Sequence, residues 1–116
     1  MSNPDELALV VKAIKSGLGG CVEWDDTVID RLTNDLARYR LKLHDVRTKL
    51  IQHVRNGGEV FQKEEDRETW KDRRDYWYYV IVPTPVFPKG LFVELELRNS
   101  DPDYPEVNLV NAHEEF

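Results

Sequence analysis

At Gly57-Gly58 the chain changes its hydrophobic period, and that change bounds every fold open to it. Before the glycines, apolar residues recur three and four apart: Leu7, Val10, Val11 and Ile14 form one stripe, Val28, Ile29, Leu32, Leu36 and Tyr39 a second, and Val46, Leu50, Ile51 and Val54 a third. After the glycines they alternate. In "LFVELELR", Leu91, Val93, Leu95 and Leu97 point one way while Phe92, Glu94, Glu96 and Arg98 point the other. Helical segments followed by consecutive strands specify an α+β domain rather than a repeating α/β one.

Boundary residues sharpen this reading. Asn3 is placed to cap the first helix, with Pro4 at its first position, Asp5 and Glu6 in its first turn and Gly17 near its stop. "CVEW" is a short strand candidate. The second helix, "DDTVIDRLTNDLARY", starts from Asp25 or Asp26 and the third runs from Asp45 to Arg55, so a short break joins them as an antiparallel hairpin. "EVFQ", "YWYYVIV", "LFVELELR" and "VNLVNAH" supply the main strands. Their connections are too short for crossover helices, which makes them antiparallel. "KEEDRETWKDRRD" reads as a solvated loop or exposed hairpin end, and the three prolines of "PTPVFPKG" exclude regular structure. The expected fold is a twisted antiparallel sheet of about four main strands, with the hairpin and the N-terminal helix on one face. Residues 1–116 form one domain: 1–20 hold the first helix and a linker, and 21–116 the core.

Length and charge limit the function. A chain of 116 residues buries roughly two-thirds of its unfolded surface, enough for one core. The single Cys21 excludes an intramolecular disulfide and a cysteine metal cluster, which fits a reducing cytoplasm. The N-terminal stretch carries acids ahead of its apolar run, unlike a signal peptide, and no apolar run nears the ~20 residues that span a bilayer. A cytoplasmic protein with no membrane partner is expected. The net charge of -6 argues against a wholly electropositive nucleic-acid binder. Yet residues 37–74 hold 11 basic and 7 acidic side chains, so the middle third is basic.

The order of short strand, helical hairpin and antiparallel meander, closed by a histidine past the last strand, resembles the RelE/ParE superfamily of small bacterial toxins. "VRNGGEV", "FVELEL" and "VNLVNAHE" are similar to its MqsR/BrnT-like branch and that branch's uncharacterised relatives. The resemblance covers Val22 to Glu114. It implies a toxin-like fold and, for many members, cleavage of messenger RNA, commonly on the ribosome, with a cognate antitoxin as partner; other members inhibit gyrase. Carried onto this chain, it implies His113 as the C-terminal acid/base and Lys71, Arg73 and Arg74 as the basic groups. An acidic chain ending in "EEF" departs from the strongly basic ribosome-dependent members.

RNA cleavage needs a base for the 2'-hydroxyl, an acid for the leaving 5'-oxygen and a cation beside the phosphate. His113, Glu94 or Glu96, and Arg73 or Arg74 have the right chemistry; equally, a terminal histidine is often only solvated and "ELE" only the wet face of a strand. Strict alternation places Val107, Leu109, Asn111 and His113 on one face, and His113 joins the site only if Glu94 and Glu96 share that face. A second basic patch is Arg38, Arg40 and Lys42, and Arg47 and Arg55 share one helix face. Glu64, Glu65, Asp66, Glu68 and Asp72 are able to neutralise the patch of Lys71, Arg73 and Arg74. "YWYY" with Trp70 offers either a stacking platform or core, with Tyr76/Tyr78 and Trp77/Tyr79 on opposite faces. His44, His53 and His113 lack ligand spacing, so no metal or cofactor is implied. The competing class is a non-enzymatic, acidic protein-interaction module that would bind a basic partner through acids such as Asp101, Asp103, Glu114 and Glu115.

Overall fold

The Asn3 side chain accepts the Glu6 amide at 3.0 Å and so starts the first helix, α1, Pro4–Ser16. A computed structural model describes residues 2–68 and 74–115 of the chain. After α1 come β1 (Val22–Trp24), a 3-10 turn (Asp26–Val28), α2 (Ile29–Ala37) and α3 (Leu43–Arg55), then β2 (Phe61–Glu64), β3 (Tyr76–Thr84), β4 (Phe87–Asn99) and β5 (Glu106–Glu114). Asp25 caps the 3-10 turn by accepting the Thr27 amide, so the second helical segment opens tightly before it becomes α-helical.

α1 stops at Gly17, whose φ of 66° is a left-handed conformation that glycine adopts freely. The carbonyls exposed there are taken by α3. Arg55 donates to the Lys15 and Ser16 oxygens at 2.8 and 3.0 Å, and Arg47 to the Gly17, Leu18 and Val22 oxygens at 3.2, 3.2 and 2.8 Å. These two arginines share a helix face as their spacing predicts, and their guanidinium groups hold the end of α1.

The strands form one five-stranded sheet in the order β1-β5-β4-β3-β2. This corrects the expected four-stranded antiparallel sheet: β2 to β5 are antiparallel neighbours, but β1 pairs in parallel with β5 through Val22–Val107 and Trp24–Leu109. The long connection through α2, α3 and three strands gives the chain the length that a parallel return requires. The two edges are therefore β1 and β2, and the last strand is interior along Val107–Leu109.

A second correction concerns "PTPVFPKG". β3 continues to Thr84 and β4 begins at Phe87, so Pro85 sits in the tight hairpin turn while Pro83 and Pro88 lie in the strands on either side. The register shifts between Val82 and Thr84, and the exposed Pro83 occupies that irregularity, where no ladder donor is needed.

A third decides where His113 points. Leu95 pairs with Leu109, but the next residue back, Glu94, pairs with Asn111, leaving Val110 as an extra residue in β5. The bulge resets the alternation. Val107 and Leu109 lie under the helices, as does Ala112 opposite Val93, and Glu114 follows on that side opposite Leu91, while Asn111 and His113 stand opposite Glu94 and Phe92 on the other face.

The core follows from these faces. Val10, Ala13 and Ile14 of α1 and Val46, Leu50 and Val54 of α3 pack on Val22, Tyr78, Val80, Val82, Val93, Leu95, Val107 and Leu109 of the sheet. Each fully buried aliphatic side chain contributes about 1.5–3 kcal/mol, which fixes the helix-covered side. Tyr78 is fully buried there, and its hydroxyl donates to Glu6 at 2.7 Å and accepts from Gln62 at 2.9 Å. Gln62 also bonds the Asn3 backbone in both directions, so α1 is fastened to β2 and β3 at its first turn. Cys21 is a small buried group at the start of β1.

Candidate functional site

The sheet face opposite the helices carries aromatic rings at positions that alternation along each strand makes unavoidable. Phe61 pairs with Tyr79 and Phe92 with His113 across adjacent strands, and Tyr79 meets Phe92 on the diagonal. Their ring centroids are 4.8, 4.7 and 5.1 Å apart, at 13°, 17° and 23° from parallel. The spacing matches the separation of neighbouring strands, so the four rings stand side by side as a ladder from β2 to β5. Tyr79 and Phe92 have a ring against both faces and present edges outward. His113 ends the ladder, is exposed, and has its Nδ1 at 2.8 Å from the Glu114 carbonyl oxygen.

Beside the ladder lies a charged network. Arg74 donates to Glu65 at 3.0 Å, Glu94 at 3.1 Å and Glu96 at 2.9 Å, and Arg67 donates to Glu65 at 2.8 Å and Glu94 at 2.9 Å. The three carboxylates are buried, which corrects the wet face expected for Glu94 and Glu96 and the solvated loop expected around Glu65. Burial of ionised groups is tolerable only with such complete pairing. The Glu65 carboxyl is lowered to about 2, chiefly by the hydrogen bonds from Arg67, and these bonds in turn raise the Arg67 guanidinium. Arg67 also covers Trp77, with its guanidinium carbon 4.8 Å from a ring centroid.

A pocket of about 330 Å³ lies between α2 and the end of β5, and His113 is among the residues that line it. Arg31, Asp35, Arg38, Tyr39, Asn111 and Glu114 share its wall. Arg31 sits 3.7 Å from Asp35, one turn along α2, and Arg38 lies over the Tyr39 ring at 5.9 Å. Tyr39 packs edge-on against Phe87 at 4.8 Å, which holds this end of α2 against the start of β4.

The structure thus gathers Glu94, Glu96 and Arg74 into one network and sets His113 on the same face, opposite Phe92 and one row along the strands from Glu94. Lys71, Arg73 and Trp70 lie outside the described residues. Sequence reading named Glu65 only as one of five acids able to neutralise the patch that includes Arg74, and missed Arg67 and the burial of the pair, because in "KEEDRETWKDRRD" nothing separates a buried charge from a solvated one. It also missed Arg31, whose only signal is its place on the polar side of α2. Among the described residues, no group of three or more histidine, cysteine, aspartate or glutamate side chains is placed to hold a metal ion, and no helix is long and apolar enough to cross a membrane.

Fold and site together define a two-layer α+β domain whose open sheet face bears a ring ladder ending at a pocket-lining histidine. No family model, curated protein or solved structure matches the chain.

Proposed function

We propose that this chain acts on RNA as a small toxin-like protein of RelE type, with His113 as the acid/base of phosphodiester cleavage. The observation that carries the reading is the placement of His113 with Arg31 and Arg38 around one pocket. A proton on Nδ1 serves the Glu114 carbonyl and leaves the lone pair of a general base on Nε2. That base takes the 2'-hydroxyl proton, the 2'-oxygen attacks phosphorus, and the 5'-oxygen leaves with a proton from the imidazolium or from water, giving a 2',3'-cyclic phosphate. Arg31 and Arg38 bring the positive charge that a phosphate requires, and the outer face of the His113 ring offers a nucleobase a stacking position. Glu94, Glu96 and Arg74 then act as a rigid support, since Arg74 engages both carboxylates. The element order β1, α2, α3, β2 to β5 supports the RelE-like reading, and with it a ribosome or an antitoxin as partner in the cytoplasm.

The test is cleavage of single-stranded RNA, with and without ribosomes, by the purified chain. Products ending in cyclic phosphate are expected from the wild type, with at least a hundredfold loss in His113→Ala and weaker binding in Arg31→Ala and Arg38→Ala. Absence of cleavage under both conditions would sink the proposal. The second reading, an acidic interaction module without catalysis, is favoured by the net charge of -6 and by a ladder that presents ring edges rather than faces. On that reading a basic protein is retained equally by the wild type and His113→Ala, and released when Asp101, Asp103, Glu114 and Glu115 are reversed.

A further inference from the structure

The most exposed large apolar side chain among the described residues is Tyr104, at 67%. It stands on an ordered turn between β4 and β5. The Asn99 side chain accepts the Asp101 amide and the Asp101 side chain accepts the Asp103 amide, each at 2.9 Å, while Lys12 donates to the Pro102 carbonyl from α1. Asp101 and Asp103 are exposed beside the ring. An ordered turn that holds a tyrosine in water, flanked by acids, presents an apolar knob with a negative collar.

The complementary shape lies at the junction of α2 and α3. Thr33, Ala37, Leu41 and Leu43 wall a groove of about 490 Å³ whose rim bears Arg40 and Lys42, both exposed. Arg40 adopts a φ of 59°, which turns the chain sharply between the helices and leaves the groove open. The groove is apolar inside and positive at its edge.

Knob and groove belong to opposite ends of β4. Tyr39, the residue before Arg40, packs on Phe87 at the first residue of β4, whereas Tyr104 follows its last residue, Asn99. The 13-residue strand runs between them through a molecule whose longest extent is 36 Å, so the two features lie apart and do not meet within one chain. They can meet between successive copies. We infer that Tyr104 of one copy seats in the Arg40–Lys42 groove of the next, a head-to-tail contact that assembles rings or open chains. Two copies of net charge -6 repel in most orientations, and the contact of an acidic turn with a basic rim selects this one.

Sedimentation velocity on the full chain tests the inference, from about 10 µM to about 1 mM, the range expected of a contact smaller than ~1,000 Å². The wild type should grow in mass beyond a dimer with concentration, and less so at high salt. Tyr104→Ala removes the knob; Arg40→Asp with Lys42→Glu reverses the rim, aspartate being tolerated at a left-handed position. Each variant alone should be monomeric, with association weakened at least tenfold, and circular dichroism should confirm that each is folded. A mixture of the two must recover a dimer and stop there, because one supplies the intact groove and the other the intact knob. Monomeric wild type throughout, variants that associate like the wild type, or a mixture that stays monomeric would each overturn the inference.

Discussion

Arg74 reaches Glu94 at 3.1 Å on the open face of the sheet, and both side chains are only 8% exposed. The same guanidinium serves Glu65 and Glu96, so one arginine neutralises carboxylates from the end of β2 and from two positions of β4. The face that carries the ring ladder is thereby tied to the segment that precedes β3.

Removing Arg74 is the sharpest probe of that network. Arg74→Ala leaves buried carboxylates short of a partner and is expected to cost about 3–5 kcal/mol in urea unfolding. Replacing Arg74 with Met and Glu94 with Gln together should cost less than the sum of the single changes, because the double variant strands less charge. Additive losses would show that the two side chains do not interact.

Glu65 makes stability depend on acid pH. Its folded value, about 2, lies below the ordinary 4.5, so the stabilisation it gives is fully present above 4.5 and fades as pH falls toward 2. The stability gap between the wild type and Glu65→Gln should be constant near neutrality and narrow over that interval. A gap that stays constant down to pH 2 would contradict the pairing with Arg67.

Tyr78 should behave as a buried phenol. Burial pushes its ionisation well above the usual tyrosine range, so alkaline titration followed by absorbance should leave one of the five tyrosines protonated until the chain unfolds. Tyr78→Phe removes the bonds to Glu6 and Gln62 and is expected to cost about 1–2 kcal/mol. Hydrogen exchange should rise first in the initial turn of α1.

Gly90 occupies β4 with a φ of 90°, and a methyl group there would lie 2.9 Å from Ile81 and 3.0 Å from the Val82 carbonyl oxygen. Gly90→Ala therefore combines backbone strain with a backbone collision, and a loss of about 1–3 kcal/mol is expected in thermal or urea unfolding. An unchanged midpoint would mean that β3 and β4 are free to separate at this point.

Much of the architecture is legible in local chemistry. Asn3 with Pro4, the three apolar stripes and Gly17 define the helices because caps and periodicity act within a few residues. The alternation of Leu91, Val93, Leu95 and Leu97 names the core face of β4 for the same reason. The site is less legible. His113 reaches the face of Glu94 through the extra residue Val110, and a bulge is a property of two strands in register, which one strand's pattern does not display. Arg31 and Arg38 join His113 only because α2 lies along the end of β5.

By itself, then, the sequence determined the kinds of element, their order and the buried side of each helix and of β4, since these follow from the spacing of apolar residues and the conformational preferences of their neighbours. The tertiary structure decided the parallel pairing of β1 with β5, the side of the sheet on which His113 stands, and the conversion of Glu65, Glu94 and Glu96 from solvated acids into a buried network. Each of these depends on groups far apart in the chain, and a long-range pairing leaves no periodic trace in the residues that make it.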